Sequence, residues 1–164
     1  REVVETWVVH ALEKCIDLGY EPAGTVFIQG NAFLLREMVN NLLDNALRYT
    51  PAGGRVTARV VAQGDFALLE IEDSGPGISD EESQKVFDRF YRVEGTDSEG
   101  SGLGLAIVRE IAEVHQGAAS LRPNTRKVRE DEPPGCVARI VFPVYRLQPP
   151  PAAIAEPVRT GGFA

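Results

Sequence analysis

Apolar residues recur at three- and four-residue steps in one long stretch that follows Asn31. This spacing predicts an amphipathic helix, with Asn31 as its N-cap. The helix is expected to end near Thr50, because the following Pro51 disfavours helical geometry in the residue before it. Its apolar stripe consists of Leu35, Met38, Val39, Leu42 and Ala46.

The remaining pattern predicts shorter elements on either side of this helix. Helices are expected over residues 3–12, 80–86 and 103–115, with Gly117 suited to cap the last of them. Strands are expected over residues 15–20, 26–28, 56–61, 66–73, 118–121 and 137–142, and a Gly64-Asp65 turn joins two of them as a hairpin. Helices and hairpins occur in separate blocks, which favours an α+β fold, a two-layer α/β sandwich, over an alternating parallel sheet.

Length and charge narrow the class of protein. The 164 residues, 43% of them apolar, suffice for one domain with a single core. We assign residues 1–145 to that domain and expect a disordered tail over residues 146–164, which is rich in proline and glycine. The net charge of −7, with scattered Lys and Arg, argues against nucleic-acid binding. Cys15 and Cys136 lack C-x-x-C spacing and are interpreted as two buried thiols.

The long helix carries a polar stripe of unusual composition. Glu37, Asn41, Asp44, Asn45 and Arg48 share one arc at 100° per residue. An ordinary solvated face would explain a polar stripe, but Asn is a poor helix former, by up to about 0.7 kcal/mol relative to Ala. Asn41 and Asn45 lie one turn apart and can direct amide oxygens at one cation. Mg²⁺ is commonly held by a few protein oxygens together with phosphates and waters.

Asp73 ends a predicted strand in which Leu69 and Ile71 point to the same face. If that face covers the core, the carboxylate lies at the edge of an apolar pocket and needs a hydrogen-bond partner. Gly75 and Gly77 permit the backbone to lie against a flat ligand. A buried acceptor beside an apolar slot suits the exocyclic amine of adenine. The alternative is a strand-end Asp that accepts hydrogen bonds from its own turn.

A glycine-rich run opens the last predicted helix. Exposed amides at a helix N-terminus bind phosphate, and glycines let the phosphate approach closely. The run is neither a Walker A loop nor a G-x-G-x-x-G fingerprint. A flexible hinge before the helix is the alternative. The run consists of Gly100, Ser101, Gly102, Leu103, Gly104 and Leu105.

Taken in chain order, these segments resemble the sequence boxes of the GHKL ATPase superfamily and are most similar to those of sensor histidine kinases. Residues 41–50 resemble the N box, 73–78 the G1 box, 87–92 the F box and 100–108 the G2 box. Residues 11–20 are also similar to sensors of the tricarboxylate-transport type. Two positions depart from the family pattern: His-Gly-Gly is His115-Gln116-Gly117 here, and the Thr of the closing Gly-Thr-x-Phe is replaced by Cys136.

The resemblance implies a Bergerat ATP-binding fold, a mixed sheet backed by about three helices, with ATP and Mg²⁺ as ligands. It makes Asn45 the Mg²⁺ ligand and Asp73 the acceptor for adenine N6. It places Asn41, Arg48 and Arg92 at the phosphates as catalytic residues, with residues 93–101 as a mobile lid. The nucleotide would also be contacted by Tyr49, Gly75, Gly77, Ile78, Gly100, Ser101, Gly102, Leu103, Gly104 and Leu105.

The resemblance further implies the catalytic domain of a two-component sensor histidine kinase. Such a domain transfers the γ-phosphate of ATP to a histidine on a separate dimerisation domain, which this chain lacks, and a response regulator follows. The fragment would be a monomer, and the complete protein a homodimer anchored in the inner membrane with this domain in the cytoplasm. A stand-alone serine kinase of the anti-sigma-factor type and a non-catalytic nucleotide-binding module are the alternatives.

Overall fold

The computed structural model describes residues 1–22, 24–93, 101–124 and 134–146. Within these ranges the chain forms five helices and five strands. In chain order they are α1 (Glu2–Thr6), α2 (Val8–Glu13), β1 (Asp17–Pro22), α3 (Ala32–Tyr49), β2 (Arg55–Gln63), β3 (Phe66–Asp73), α4 (Asp80–Lys85), α5 (Gly104–Val114), β4 (Ala118–Pro123) and β5 (Cys136–Pro143). Among the described residues, no helix is long and apolar enough to cross a membrane.

The five strands form one mixed sheet in the order β1-β2-β3-β5-β4. β1 and β2 run parallel, and α3 makes the crossover between them. All other neighbours are antiparallel. The predicted α+β class, with a mixed sheet and helices in a second layer, is therefore confirmed.

The helical layer is held in place by α3, the longest element. Asn31 caps this helix: its side-chain oxygen accepts from the N–H groups of Phe33 at 2.9 Å and Leu34 at 3.2 Å. Thr50, in an extended conformation, ends it. The largest fully buried side chains lie between the helices and the sheet, and they are Met38, Leu42, Leu43, Ile71, Ile140, Val56 and Val108.

The other face of the sheet carries a row of alternating charges. Glu21, Arg59, Glu70 and Arg139 lie opposite one another on β1, β2, β3 and β5. Arg59 binds Glu21 at 2.7 Å, and Arg139 binds Glu70 at 2.6 Å. Glu72, next on this face, lies 3.2 Å from Arg59. Glu70 and Glu72 are almost fully buried, so these contacts compensate two carboxylates that would otherwise be costly to desolvate.

Two predicted elements near the N-terminus are wrong in detail. Residues 26–28 form no strand: Val26 and Ile28 pack on the core and Phe27 is exposed, as in a strand. Among the described residues, however, the segment makes a single backbone hydrogen bond, from the Tyr145 N–H to the Phe27 carbonyl at 2.7 Å, which is too few for a ladder. The helix predicted over residues 3–12 is divided at Trp7. The N–H of Trp7 bonds to Val4 in a tight turn, while its indole N–H donates to Asn40 of α3 at 3.1 Å.

Two further expectations need correction. Cys136 is buried as predicted, but Cys15 is exposed, because it lies in the turn after α2 rather than in a strand. The left-handed residue at the end of α5 is Gln116, with φ of 59°, and not Gly117. The Gly117 N–H still caps the Ala112 carbonyl at 2.8 Å. A side chain at Gly117 would lie 2.5 Å from the Val141 oxygen, so this glycine is needed for packing against β5.

Candidate nucleotide-binding site

A cleft of about 450 Å³ opens between α3, the end of β3 and the start of α5. Its walls combine amide, carboxylate and guanidinium groups with an apolar floor. The lining residues are Asn41, Asp44, Asn45, Arg48, Tyr49, Asp73, Pro76, Gly77, Ile78, Val86, Tyr91, Arg92, Val93, Ser101, Gly102, Gly104, Leu105, Leu121 and Cys136.

Asp73 lies at the inner end of the cleft and is only 9% exposed. Its Oδ1 atom accepts from the N–H of Gly75 at 2.9 Å and from the N–H of Cys136 at 3.1 Å. The first of these bonds is the local turn expected of a strand-end Asp, and the second comes from the neighbouring strand. Among the described residues no protein group donates to Oδ2, so this oxygen is available to a ligand that carries an N–H.

The backbone of β5 approaches Asp73 closely because Gly135 precedes it. Gly135 has φ of +62°, and a Cβ atom there would lie 2.0 Å from the Asp73 carbonyl oxygen. Only glycine therefore allows Cys136 to reach the carboxylate. The contact depends on a turn that no other residue type tolerates at this spacing.

Burial controls the ionisation of both polar groups at this end of the cleft. Desolvation raises the pKa of Asp73 to about 6, against the lowering effect of the N–H groups of Gly75 and Cys136. Desolvation, together with the nearby Asp73 charge, raises the pKa of the Cys136 thiol to about 12. The Cys136 thiol is therefore neutral at physiological pH, while the Asp73 carboxyl titrates at mildly acidic pH.

The amide groups on α3 fit a magnesium ion. Asn41 donates from Nδ2 to the carbonyl of Glu37 at 2.8 Å, which leaves its oxygen directed toward Gly104 across the cleft. The half-buried Asn45 side chain makes no hydrogen bond to any described residue, so its oxygen is free to coordinate. Two amide oxygens suit Mg²⁺, which keeps several waters and takes phosphate oxygens as further ligands. Within the described residues there is no cluster of three His, Cys, Asp or Glu side chains that would compete.

The cationic side of the cleft comes from two different elements. Arg48, in the last turn of α3, pairs with Asp44 at 2.6 Å, one helical turn earlier. Tyr91 and Arg92, at the end of the F-box segment, also line the cleft. Positive groups that line a cleft favour an anionic ligand in it.

The start of α5 is pinned to the F-box segment. The N–H of Phe90 donates to the carbonyl of Gly102 at 2.9 Å. Gly102 has φ of +67°, and a Cβ there would lie 2.9 Å from Phe90 Cα. Two ion pairs also join the F-box segment to α5: Arg89 with Glu110 at 2.5 Å and Asp88 with Arg109 at 3.5 Å. Residues 94–100, which include Gly100 and most of the predicted lid, lie outside the described residues.

Most of the predicted site residues meet in the cleft. Gly75 and Leu103 do not line it: the Gly75 N–H supports Asp73 from behind, and Leu103 begins the turn into α5. Sequence reasoning did not place several further lining residues in the site, although it had put Asp44 on the polar stripe and interpreted Cys136 as a buried thiol. Because Cys136 lies 63 residues from Asp73, only the pairing of β3 with β5 reveals their contact. The missed lining residues are Asp44, Pro76, Val86, Tyr91, Val93, Leu121 and Cys136.

Comparison with known proteins identifies similar chains. The family described as histidine kinase-, DNA gyrase B- and HSP90-like ATPase matches residues 30–146. The sensor protein kinase PmrB of Pseudomonas aeruginosa is 46% identical over 121 residues, which cover 73% of this chain and 25% of PmrB. The sensor histidine kinase RppB of Synechocystis is 36% identical over 150 residues, covering 89% of this chain and 32% of RppB. This chain thus spans about a quarter to a third of these curated relatives.

Among solved structures, the mycobacterial sensor histidine kinase MprB superimposes with a TM-score of 0.74 at 33% identity. The match covers 89% of this chain and 95% of that one.

Proposed function

The chain belongs to the family of histidine kinase-, DNA gyrase B- and HSP90-like ATPases, and we propose that it is the catalytic domain of a sensor histidine kinase. In this proposal it binds Mg²⁺-ATP and transfers the γ-phosphoryl group to a histidine on a separate dimerisation domain, leaving ADP. Its curated relatives named above are sensor kinases, which supports this choice within a family that also contains hydrolytic ATPases.

The observation that carries the proposal is the convergence of three kinds of group in one cleft. Asp73, with its Oδ2 not engaged by any described donor, lines the cleft together with the apolar Ile78 and Leu105, and this combination suits adenine and its amine. The amide oxygen of Asn41 faces Gly104 at the start of α5, and Asn45 lines the same cleft one helical turn later. Adenine at one end thus directs the phosphates toward the other, where the amides of Gly102 and Gly104 receive them.

Phosphoryl transfer takes place at the end of the cleft that binds the phosphates of ATP. Mg²⁺, when bound by Asn45 with Asn41 nearby, supplies charge neutralisation at the phosphate oxygens. Arg48 and Arg92 both line the cleft and would stabilise negative charge on the phosphates. Phosphoryl transfer is largely a matter of positioning and charge stabilisation, so these fixed groups are appropriate catalysts.

Asn41 argues for transfer over hydrolysis. A carboxylate one turn before the metal-binding residue would activate water, but an amide is a poor base, and here its oxygen faces Gly104. Water is therefore expected to attack slowly. A histidine imidazole, presented by another domain, needs no such activation because it is already a nucleophile.

The two histidines of this chain are unsuitable acceptors. Both ring nitrogens of His115 are engaged with backbone groups. His10 is exposed, lies with its ring centre 5.2 Å from that of Trp7 in a tilted arrangement, and does not line the cleft. We therefore propose that the acceptor lies on a dimerisation domain of the complete protein. A response regulator, dimerisation of the complete protein, and an inner-membrane anchor with this domain on the cytoplasmic side complete the proposal.

The test is phosphoryl transfer in trans. The chain is incubated with γ-labelled ATP and Mg²⁺, alone and with a histidine-bearing dimerisation domain from a sensor kinase. We expect no label on the chain and acid-labile label on the added histidine, at a reduced rate because the two domains are not tethered. The same domain with its histidine replaced by alanine is the control. Stoichiometric labelling of His10 or His115 would contradict the proposal, and labelling of a serine on another protein would favour the anti-sigma-factor type.

A further inference from the structure

His115, just after α5, joins two helices through both of its ring nitrogens. Nε2 accepts from the backbone N–H of Asn31, the N-cap of α3, at 2.9 Å. Nδ1 lies 2.7 Å from the Ile111 carbonyl oxygen. A carbonyl only accepts, so Nδ1 carries the proton and Nε2 does not. The buried ring therefore forms a bridge between the end of α5 and the start of α3.

The surroundings of His115 are shaped to hold this ring. A Cβ atom at Gly30 would lie 2.4 Å from Cδ2 and 2.8 Å from Nε2, so only glycine leaves room for the imidazole there. On another side Phe142 of β5 meets the ring edge-on, with ring centres 6.3 Å apart. The bridge is thus confined sterically as well as by hydrogen bonds.

The bridge lies at the end of the helix pair that is remote from the cleft. α3 and α5 run antiparallel: Asn31 meets His115 at one end, and Asn41 faces Gly104 at the other. The 11 residues of α5 span roughly 16 Å at 1.5 Å per residue. A hinge at one end of such a rigid pair governs the separation at its other end. That separation is the distance between the amide oxygens of α3 and the phosphate-binding amides at the start of α5.

We propose that His115 is a positioning residue for Mg²⁺-ATP: by tying Asn31 to α5 it sets the gap between the magnesium amides and the glycine amides. This inference rests on the proposed binding of Mg²⁺-ATP. Adenine recognition by Asp73 involves neither end of the bridge, so the bridge affects the Mg²⁺-dependent part of ATP binding selectively.

The test compares near-isosteric replacements in the full chain. In His115→Gln the side-chain oxygen can still accept from Asn31, whereas His115→Met fills similar space without a strong acceptor. Gly30→Ala leaves His115 intact but displaces its ring, and so provides a second variant if His115→Met does not fold. Ile140→Val, in the buried part of β5, controls for a general loss of stability. For each variant, calorimetry gives the ATP affinity with and without Mg²⁺, and titration with adenosine gives the affinity of the base alone.

We expect His115→Met and Gly30→Ala to lower the Mg²⁺-dependent gain in ATP affinity roughly three- to tenfold, with adenosine affinity unchanged. His115→Gln should retain most of the gain, and Ile140→Val all of it. An undiminished gain in His115→Met and Gly30→Ala overturns the inference, as does an equal loss of adenosine affinity, which would indicate a merely structural role. If the unaltered chain shows no Mg²⁺ gain at all, the proposed function itself fails.

Discussion

The backbone N–H of Cys136 donates to Oδ1 of Asp73 across 3.1 Å, between residues 63 positions apart in the chain. Together with the bond from Gly75, it leaves Oδ2 as the oxygen available to the ligand. The orientation of the carboxylate is thus fixed before any nucleotide arrives. The first two predictions follow from this arrangement.

Replacement of Asp73 by Asn should reduce the preference for ATP over GTP. The amide oxygen can take over the bonds from Gly75 and Cys136, which turns the amide NH₂ toward the adenine amine, and two donors then face each other. An unsatisfied polar pair costs about 1–3 kcal/mol, which corresponds to roughly five- to 150-fold in ATP affinity. Competition binding of ATP and GTP measures the change. Unaltered selectivity in the variant would exclude adenine N6 as the partner of Asp73.

ATP affinity should depend on pH around the raised pKa of Asp73, about 6. The adenine amine prefers the charged carboxylate, so affinity is expected to fall below that pH, by at most about tenfold per pH unit. Folding without nucleotide should show the opposite trend. The folded carboxyl holds its proton at higher pH than the unfolded one, whose pKa is 3.8, so stability rises as pH falls from about 6 toward 3.8. Asp73→Asn should remove both dependences, as measured by calorimetry and by denaturant unfolding.

Asn45→Ala should abolish the tightening of ATP binding by Mg²⁺ while leaving the fold intact. The Asn45 side chain bonds to no described residue, and Ala is the better helix former by up to about 0.7 kcal/mol, so the melting temperature should stay constant or rise slightly. Asn40→Ala is the matched control. It deletes the acceptor of the Trp7 indole and should lower stability, yet keep the Mg²⁺ effect. Equal Mg²⁺ responses in Asn45→Ala and the unaltered chain would refute the metal role.

Gly102→Ala should weaken ATP binding and destabilise the start of α5. The new Cβ meets Phe90 at 2.9 Å in addition to the cost of a left-handed backbone, about 1–2 kcal/mol. Gly64→Ala separates the two costs, since Gly64 has a similar φ of +60° but open space around it. Thermal unfolding and ATP calorimetry of the two variants give the comparison. If both lose the same stability and neither loses affinity, the contact between Gly102 and Phe90 does not shape the site.

Local rules predicted the elements on which the site is built. Asn31 as N-cap, the end of α3 at Thr50 and the polar stripe with Asn41 and Asn45 follow from residues close together in sequence, and all three are present. The roles assigned to the individual side chains stay predictions, as does the tricarboxylate-transport subtype suggested by residues 11–20.

The predictions that were wrong or missing concern residues whose conformation depends on a partner distant in sequence. Residues 26–28 have the alternation of a strand but only one backbone hydrogen bond, from Tyr145, among the described residues. Trp7 breaks its helix where its indole bonds to α3. The contact between Cys136 and Asp73 requires the register of β3 on β5, which no local pattern contains. Gln116 adopts the left-handed cap because Gly117 is needed one position later for close packing on β5.

The row of Glu21, Arg59, Glu70 and Arg139 has a consequence for how the chain reaches its native pairing. Side chains alternate along β3, so sliding this strand by one residue would turn Glu70 and Glu72 into the core and expose Ile71 and Asp73 on the other face. Each buried carboxylate would then be separated from its arginines at a cost of several kcal/mol. Misaligned sheets are therefore high-energy species. The charges on the face of the sheet opposite the cleft thus select the native strand register, and this register places Asp73 on the cleft side.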